Sequence, residues 1–177
     1  MINKKGLLLV VSGPSGTGKG TICKDIVAKH EDINLSISAT TRKPRVGEVE
    51  GKSYFFKTKE DFEDMVDKGE FLEHAMIYDN YYGTPKKAIF DELDMGRDVI
   101  LEIEMQGAMQ IKEVYPQAVF IFVLPPSLQE LKNRIIGRGT ETEEQIEKRF
   151  NSAYDEIKLL GDYDYFIFNN IVEKSSE

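Results

Sequence analysis

The run Gly13-Pro14-Ser15-Gly16-Thr17-Gly18-Lys19-Gly20-Thr21 is the part of this sequence best suited to chemistry. A glycine, four residues and then Gly-Lys is the spacing of a loop that wraps an anion. The glycines let successive backbone N–H groups turn inward, and Lys19 adds a full positive charge. Before the loop, Leu7 to Ser12 reads as a buried strand. After it, Lys19 to Lys29 carries Ile22, Cys23, Ile26 and Val27 on one helical stripe. The start of that helix contributes positive partial charge at the same point, so strand, loop and helix together predict a polyphosphate site. One position departs from the usual spacing: Gly20 follows the lysine where a Ser or Thr hydroxyl ordinarily binds magnesium, and Thr21 comes one place later. Magnesium is then expected to be held by phosphate oxygens and water, which suits an ion that keeps several of its waters.

A second group of reactive residues ends the run Val99-Ile100-Leu101-Glu102-Ile103-Glu104. Alternation along a strand puts both carboxylates on one face. Ligands of parallel α/β sheets gather at the carboxyl ends of strands, so Glu102 and Glu104 could approach magnesium through water, or a substrate hydroxyl or amine. The cations cluster as Lys19, then Arg42, Lys43 and Arg45, then Arg134, Arg138 and Arg149, in a chain whose net charge is −8. An anionic ligand must therefore meet a local cluster, and general binding to nucleic acid is disfavoured by most of the surface.

The elements that position these residues alternate between strand-like and helical patterns, the signature of an α/β domain with a largely parallel sheet. Asp98 to Ile103 and Ala118 to Leu124 read as buried strands separated by a helix from about Gln106 to Val114. Pro125-Pro126 stops the second strand, and Ser127 is placed to cap a helix carrying Leu128, Leu131 and Ile135. Ile146, Phe150, Ala153, Ile157 and Leu160 mark a further long helix, and Tyr165 to Phe168 the last core strand. The middle of the chain breaks this rhythm, with strand-like runs at Tyr54 to Phe56 and Phe71 to Ile77 around a small helix near Glu60 to Lys68. It reads as an inserted lobe. Gly137-Arg138-Gly139-Thr140-Glu141-Thr142-Glu143-Glu144 has the composition of a flap hinged at its glycines.

At 177 residues the chain fits one domain that can bury an adequate core without metals or disulfides. With Cys23 as the only cysteine no intramolecular disulfide is available, and no apolar run approaches the roughly 20 residues of a membrane span. The expectation is a cytoplasmic protein with no membrane partner, and oligomeric state is left open.

Several stretches taken together resemble the guanylate kinases of the P-loop nucleoside monophosphate kinase family. They are Ser36-Ile37-Ser38-Ala39-Thr40-Thr41-Arg42-Lys43-Pro44-Arg45-Val46-Gly47-Glu48 followed by Gly51, Tyr54 and Phe56, then Gly69-Glu70-Phe71-Leu72-Glu73 and Tyr81-Tyr82-Gly83-Thr84. Glu102-Ile103-Glu104-Met105-Gln106-Gly107 and Gly137-Arg138-Gly139-Thr140-Glu141 follow in the family's order. The resemblance covers nearly the whole chain. It implies one domain over 1–177: a core formed by 1–34, 85–125 and 159–177, a GMP-binding lobe at about 35–84 and a lid at about 126–158.

It further implies ATP and GMP as substrates, with magnesium. Arg42, Arg45 and Tyr54 would hold the GMP phosphate, Ser38, Glu73 and Thr84 would read the guanine, and Glu48, Tyr82 and Glu104 would complete the pocket. Glu104 stands where the family more often has aspartate. ATP would lie on Gly13 to Thr21, with Arg138 over it and Asn169 and Asn170 near the adenine, and Lys19, Arg45, Arg134, Arg138 and Arg149 would carry catalysis. The chemistry of guanine agrees independently, because its N1–H and 2-amino donors match one ionised carboxylate such as Glu73 and adenine lacks that pair. Two alternatives share the fold: a kinase for another nucleoside monophosphate, since Gly18-Lys19-Gly20-Thr21 also resembles adenylate kinases, and a non-catalytic interaction module. The family usually continues into another helix beyond the position of Glu177.

Overall fold

A computed structural model describes residues 5–77, 79–137 and 143–177. Its main sheet has five strands, β1 (Leu8–Ser12), β2 (Ile33–Leu35), β7 (Asp98–Glu102), β8 (Val119–Leu124) and β9 (Tyr165–Phe168). Their order is β2-β7-β1-β8-β9, and every pairing is parallel. A parallel sheet is stable when both faces are covered, and here both are. On one face Leu8, Val10, Leu101 and Phe120 pack with Ile89 and Leu93 of α3 (Lys86–Asp94) and Ile111 of α4 (Met105–Val114). On the other, Val11, Ile100 and Val123 meet Ile22 and Cys23 of α1 (Lys19–Lys29).

Residues 39–85 contribute a second sheet, β3 (Ala39–Thr40), β4 (Phe55–Phe56), β5 (Phe71–Ile77) and β6 (Asn80–Pro85), in the order β4-β3-β6-β5. It closes over α2 (Lys59–Asp67), whose Phe62 is fully buried. The Phe62 ring stacks on Phe71 at 4.4 Å and on Tyr81 at 5.3 Å between centroids. A small sheet of this size gains most of its stability from such aromatic pairs and the helix beneath it.

The expected strands and helices fall close to their observed positions, and Lys19–Lys29, Phe71–Ile77 and Tyr165–Phe168 coincide with the sequence reading. Tyr165–Phe168 lies at the sheet's edge with Tyr165, Phe166 and Phe168 exposed. Helices α3 and Val172–Ser175 and strands β2, β3 and β6 were not anticipated. Ile89 and Leu93 do carry an i, i+4 signal for α3, whereas β3 is too short for any period to be legible.

Ser127 caps α5 (Leu128–Ile136) as expected, its Oγ accepting from the Glu130 N–H at 3.1 Å. Ser127→Ala should lower stability by about 1 kcal/mol with little change in activity, read from chemical denaturation. The last long helix is α6 (Glu143–Ile157), and a short α7 (Val172–Ser175) ends the chain. Among the described residues no helix is long and apolar enough to cross a membrane.

Candidate active site

The glycine loop leaves β1 at Ser12 and enters α1 at Lys19. Gly18 precedes the helix with φ 90°, and the Asn169 side chain lies where a Cβ would be, so a larger residue is excluded by conformation and by space. Lys19 is only 8% exposed, and its Nζ donates to Gly13 O at 2.5 Å and Pro14 O at 3.2 Å. The ammonium thus folds back onto the carbonyls that open the loop. Asn169, expected near adenine, is engaged within the protein. Its Nδ2 donates to Thr17 O at 2.7 Å and its Oδ1 accepts from Ser175 Oγ at 3.2 Å. Asn170 is exposed on the segment after β9.

In the parallel register Glu102 of β7 stands opposite Val11 of β1, which brings its carboxylate to the loop. A Cβ at position 20 would lie 3.0 Å from both Glu102 carboxylate oxygens. The missing hydroxyl after Lys19 is therefore matched by a carboxylate leaning into the same space. Desolvation holds the Glu102 carboxyl above the usual carboxylate range, opposed by the charges of Lys19 and Lys24. A hard oxygen donor at this place fits a magnesium ion that keeps its waters. Among the described residues no cluster of three or more His, Cys, Asp or Glu side chains could hold a metal by itself.

The second sheet presents a cationic corner. Arg42 makes a two-pronged bond to Glu48, NH2 to Oε1 at 2.8 Å and NH1 to Oε2 at 3.0 Å, and its guanidinium sits 5.3 Å over the Tyr54 ring. Glu48 also accepts from the Arg45 N–H at 2.7 Å. Bonding to Arg42 pulls the Glu48 carboxyl below the usual range, and Glu48, with a contribution from Tyr82, raises Arg42 further. A forked guanidinium bound to a carboxylate in this way has the geometry for a phosphate as well. The Arg45 side chain is exposed beside it, and Tyr82 meets Tyr54 edge to face at 6.1 Å. Glu48, expected in the GMP pocket, is thus the group that shapes the arginine loop.

Opposite this corner, Glu73 on β5 is 6% exposed and its Oε1 accepts from Thr84 Oγ1 of β6 at 2.5 Å. Burial pushes its pKa up to about 7, against the opposing effect of the Thr84 bond. The structure therefore brings Glu73 and Thr84, two of the residues expected to read guanine, into direct contact. Ser38 precedes β3 and is partly buried, its carbonyl accepting from the Phe55 N–H at 2.9 Å. Glu104 lies beyond the end of β7, at the N-cap position of α4 with no side-chain capping bond, so it does not share a strand face with Glu102 as expected, and it is likewise partly buried.

Arg134 of α5 reaches toward the loop, its NH2 donating to Asn169 O at 3.3 Å and NH1 to Thr17 O at 3.5 Å, while Nε is held by Glu130 at 2.9 Å. Arg138 and the side chain of Arg149 lie outside the described residues, as do 139–142 of the expected flap. Sequence reasoning missed Gly107 and Gln110 as features of the site. Gly107 was legible only as part of a motif, and the contacts of both join helix α4 to strand β5, far apart in sequence.

Comparison with known proteins supplies the lineage. The guanylate kinase family model matches residues 5–177. A guanylate kinase of Clostridioides difficile (strain 630) is 70% identical over 177 residues, covering 100% of this chain and 86% of that protein. One from Caldanaerobacter subterraneus subsp. tengcongensis is 56% identical over 176 residues, covering 99% and 85%. The crystal structure of guanylate kinase from Anaplasma phagocytophilum superposes with a TM-score of 0.81 at 35% identity, over 98% of this chain and 81% of that one. A phosphate loop, a cationic corner and a buried carboxylate held on a parallel core and a smaller sheet are thus the local expression of a likeness that runs along nearly the whole sequence, and this chain belongs to the guanylate kinase family.

Proposed function

We infer that this chain transfers the γ-phosphate of ATP to GMP, and to dGMP, giving ADP and GDP or dGDP. The observation that carries the reading is the buried Glu73 carboxylate on the small sheet whose strand β3 leads into the Arg42 and Arg45 corner. In this reading the lobe at about 35–84 binds GMP. Arg42, Arg45 and Tyr54 take its phosphate, Glu73, Thr84 and Ser38 take its guanine, and Tyr82 and Glu104 close the pocket. Glu48 holds Arg42 in the orientation the phosphate needs and shapes the loop through the Arg45 N–H.

ATP lies on Gly13 to Thr21, with its β- and γ-phosphates at Lys19. Magnesium, when bound with ATP, supplies charge neutralisation between those phosphates, and Glu102 is the residue that fits it, through water. The segment 126–158 is the lid, and Arg134 is its described arginine near the loop. Arg138 and Arg149 join it as the cations for charge spread over the transferring phosphoryl group. No general base is needed, because a nucleotide monophosphate with a second pKa near 6 is mostly a dianion at neutral pH. Catalysis then consists of in-line placement, cationic stabilisation and exclusion of water. A cytoplasmic setting, with the two nucleotides as partners and no role for nucleic acid, completes the reading.

The test is a substrate panel of GMP, dGMP, AMP, CMP and UMP with ATP as donor, followed by ADP formation. GMP should be the best acceptor. AMP turned over at least as fast as GMP would refute the guanine assignment, and no ADP formed with any of them would refute the transferase.

A further inference from the structure

We propose that Gly107 and Gln110 of α4 are positioning residues for guanine recognition, acting through Glu73. The proposal rests on the reading of Glu73 as the group that accepts from the base. Strand β5 is the last strand of its sheet, so one side of its backbone has no strand partner. At His74, the residue after Glu73, that edge is closed by the core helix. The His74 N–H donates to Gln110 Oε1 at 3.2 Å, and Gln110 Nε2 donates to His74 O at 2.9 Å. One side-chain amide thus satisfies both backbone groups of a residue, as a neighbouring strand would, and fixes the height of β5 against α4.

Three residues earlier, on the same face of the helix, Gly107 is buried against Glu73 itself. A Cβ at 107 would lie 2.9 Å from Glu73 Cδ and inside van der Waals distance of Oε2. Glycine inside a helix is ordinarily less favourable than alanine, so its presence here is explained by the close approach of the carboxylate. Thr84 Oγ1 donates to Oε1. The carboxylate is therefore held between a hydroxyl on β6 and the bare helix surface at Gly107. Helix α4 begins at Met105, shortly after Glu102 at the end of β7, so the group that reads the base is referenced to the strand beside the phosphate loop. A site built to pair buried polar groups discriminates only while those groups are held in register.

Gly107→Ala tests this directly, because the substitution favours the helix while displacing the carboxylate. The KM for GMP should rise about tenfold while the KM for ATP changes by less than about twofold. The sharper readout is the ratio of kcat/KM for GMP over IMP, whose hypoxanthine keeps N1–H but lacks the 2-amino donor. A displaced carboxylate loses its second bond to guanine, and the ratio should fall about tenfold. Gln110→Leu should lower the same ratio, and Gln110→Glu, which keeps an acceptor for the His74 N–H, should restore part of it.

In a Glu73→Ala background there is no carboxylate to displace, and adding Gly107→Ala should change GMP kinetics by less than about twofold. Equal losses for GMP and IMP, or an undiminished cost of Gly107→Ala in the Glu73→Ala background, would overturn the proposal. If Glu73→Ala alone leaves the GMP to IMP ratio unchanged, the reading of Glu73 has failed instead. Should Gly107→Ala not fold, the Gln110 variants carry the same comparison.

Discussion

Replacing Lys19 by methionine should lower kcat for GMP-dependent ADP formation by about 10³-fold, with the fold intact. Lys19 is held across the glycine loop by two main-chain carbonyls, and in the proposed reading its ammonium is the cation pre-placed for the charge that builds during phosphoryl transfer. A preorganised cation in a site from which water is excluded needs no rearrangement at the moment of reaction, which is why its removal costs rate more than binding. Methionine keeps most of the aliphatic stem at this buried position and deletes only the charge. Turnover at saturating ATP and GMP is the measurement, with the melting temperature as control. A loss of less than about tenfold would assign the transferring phosphate to another cation.

Glu73→Gln should lower kcat/KM for GMP by about 10²-fold and leave the KM for ATP within about twofold, because a charge-assisted acceptor is replaced by an amide that turns a donor toward the donors of guanine. The same residue sets a pH dependence. Its pKa of about 7 in the folded, ligand-free protein means that binding guanine as a carboxylate requires loss of a proton below neutrality. GMP affinity should therefore be level above pH 7 and weaken toward about tenfold for each unit below it. The GMP phosphate, with its second pKa near 6, adds its own dependence at lower pH. Glu73→Gln should retain only that second component, and an unchanged profile in the variant would refute the assignment.

Linkage gives the sign for stability. A folded pKa raised above the unfolded value means that this group favours the folded state fully below about pH 4.5, and that the contribution is lost as pH rises through about 7. The ligand-free protein should lose melting temperature across that window, and Glu73→Gln should flatten the slope.

Much of the parallel core was legible because its signals are local. Leu8–Ser12, the glycine spacing and the stripe of α1 are contiguous, and Ser127 announces its helix by one hydroxyl. Arg42, Arg45, Tyr54, Glu73 and Thr84 were named from motifs, yet nothing along the chain tells whether Glu73 faces water or the interior of its sheet. The structure buries it against Gly107, a residue far away in sequence, and so raises its pKa. Asn169 was read as an adenine neighbour, and its bond to Thr17 O was not legible, because it depends on a parallel strand at the opposite end of the chain returning beside the loop.

By itself, then, the sequence determined that a polyphosphate would be bound between a strand and a helix. Backbone N–H groups, a helix start and Lys19 all lie within one short run of chain, and their chemistry needs no distant partner. Only the tertiary structure decided the surroundings of the residues proposed to read the second substrate. Burial, the pairing of Arg42 with Glu48, the lean of Glu102 into the space at Gly20 and the seating of Glu73 on α4 depend on which side chains remain exposed to water once the sheets have packed. Desolvation and close approach are properties of neighbours brought together by the fold, and sequence spacing carries little record of them.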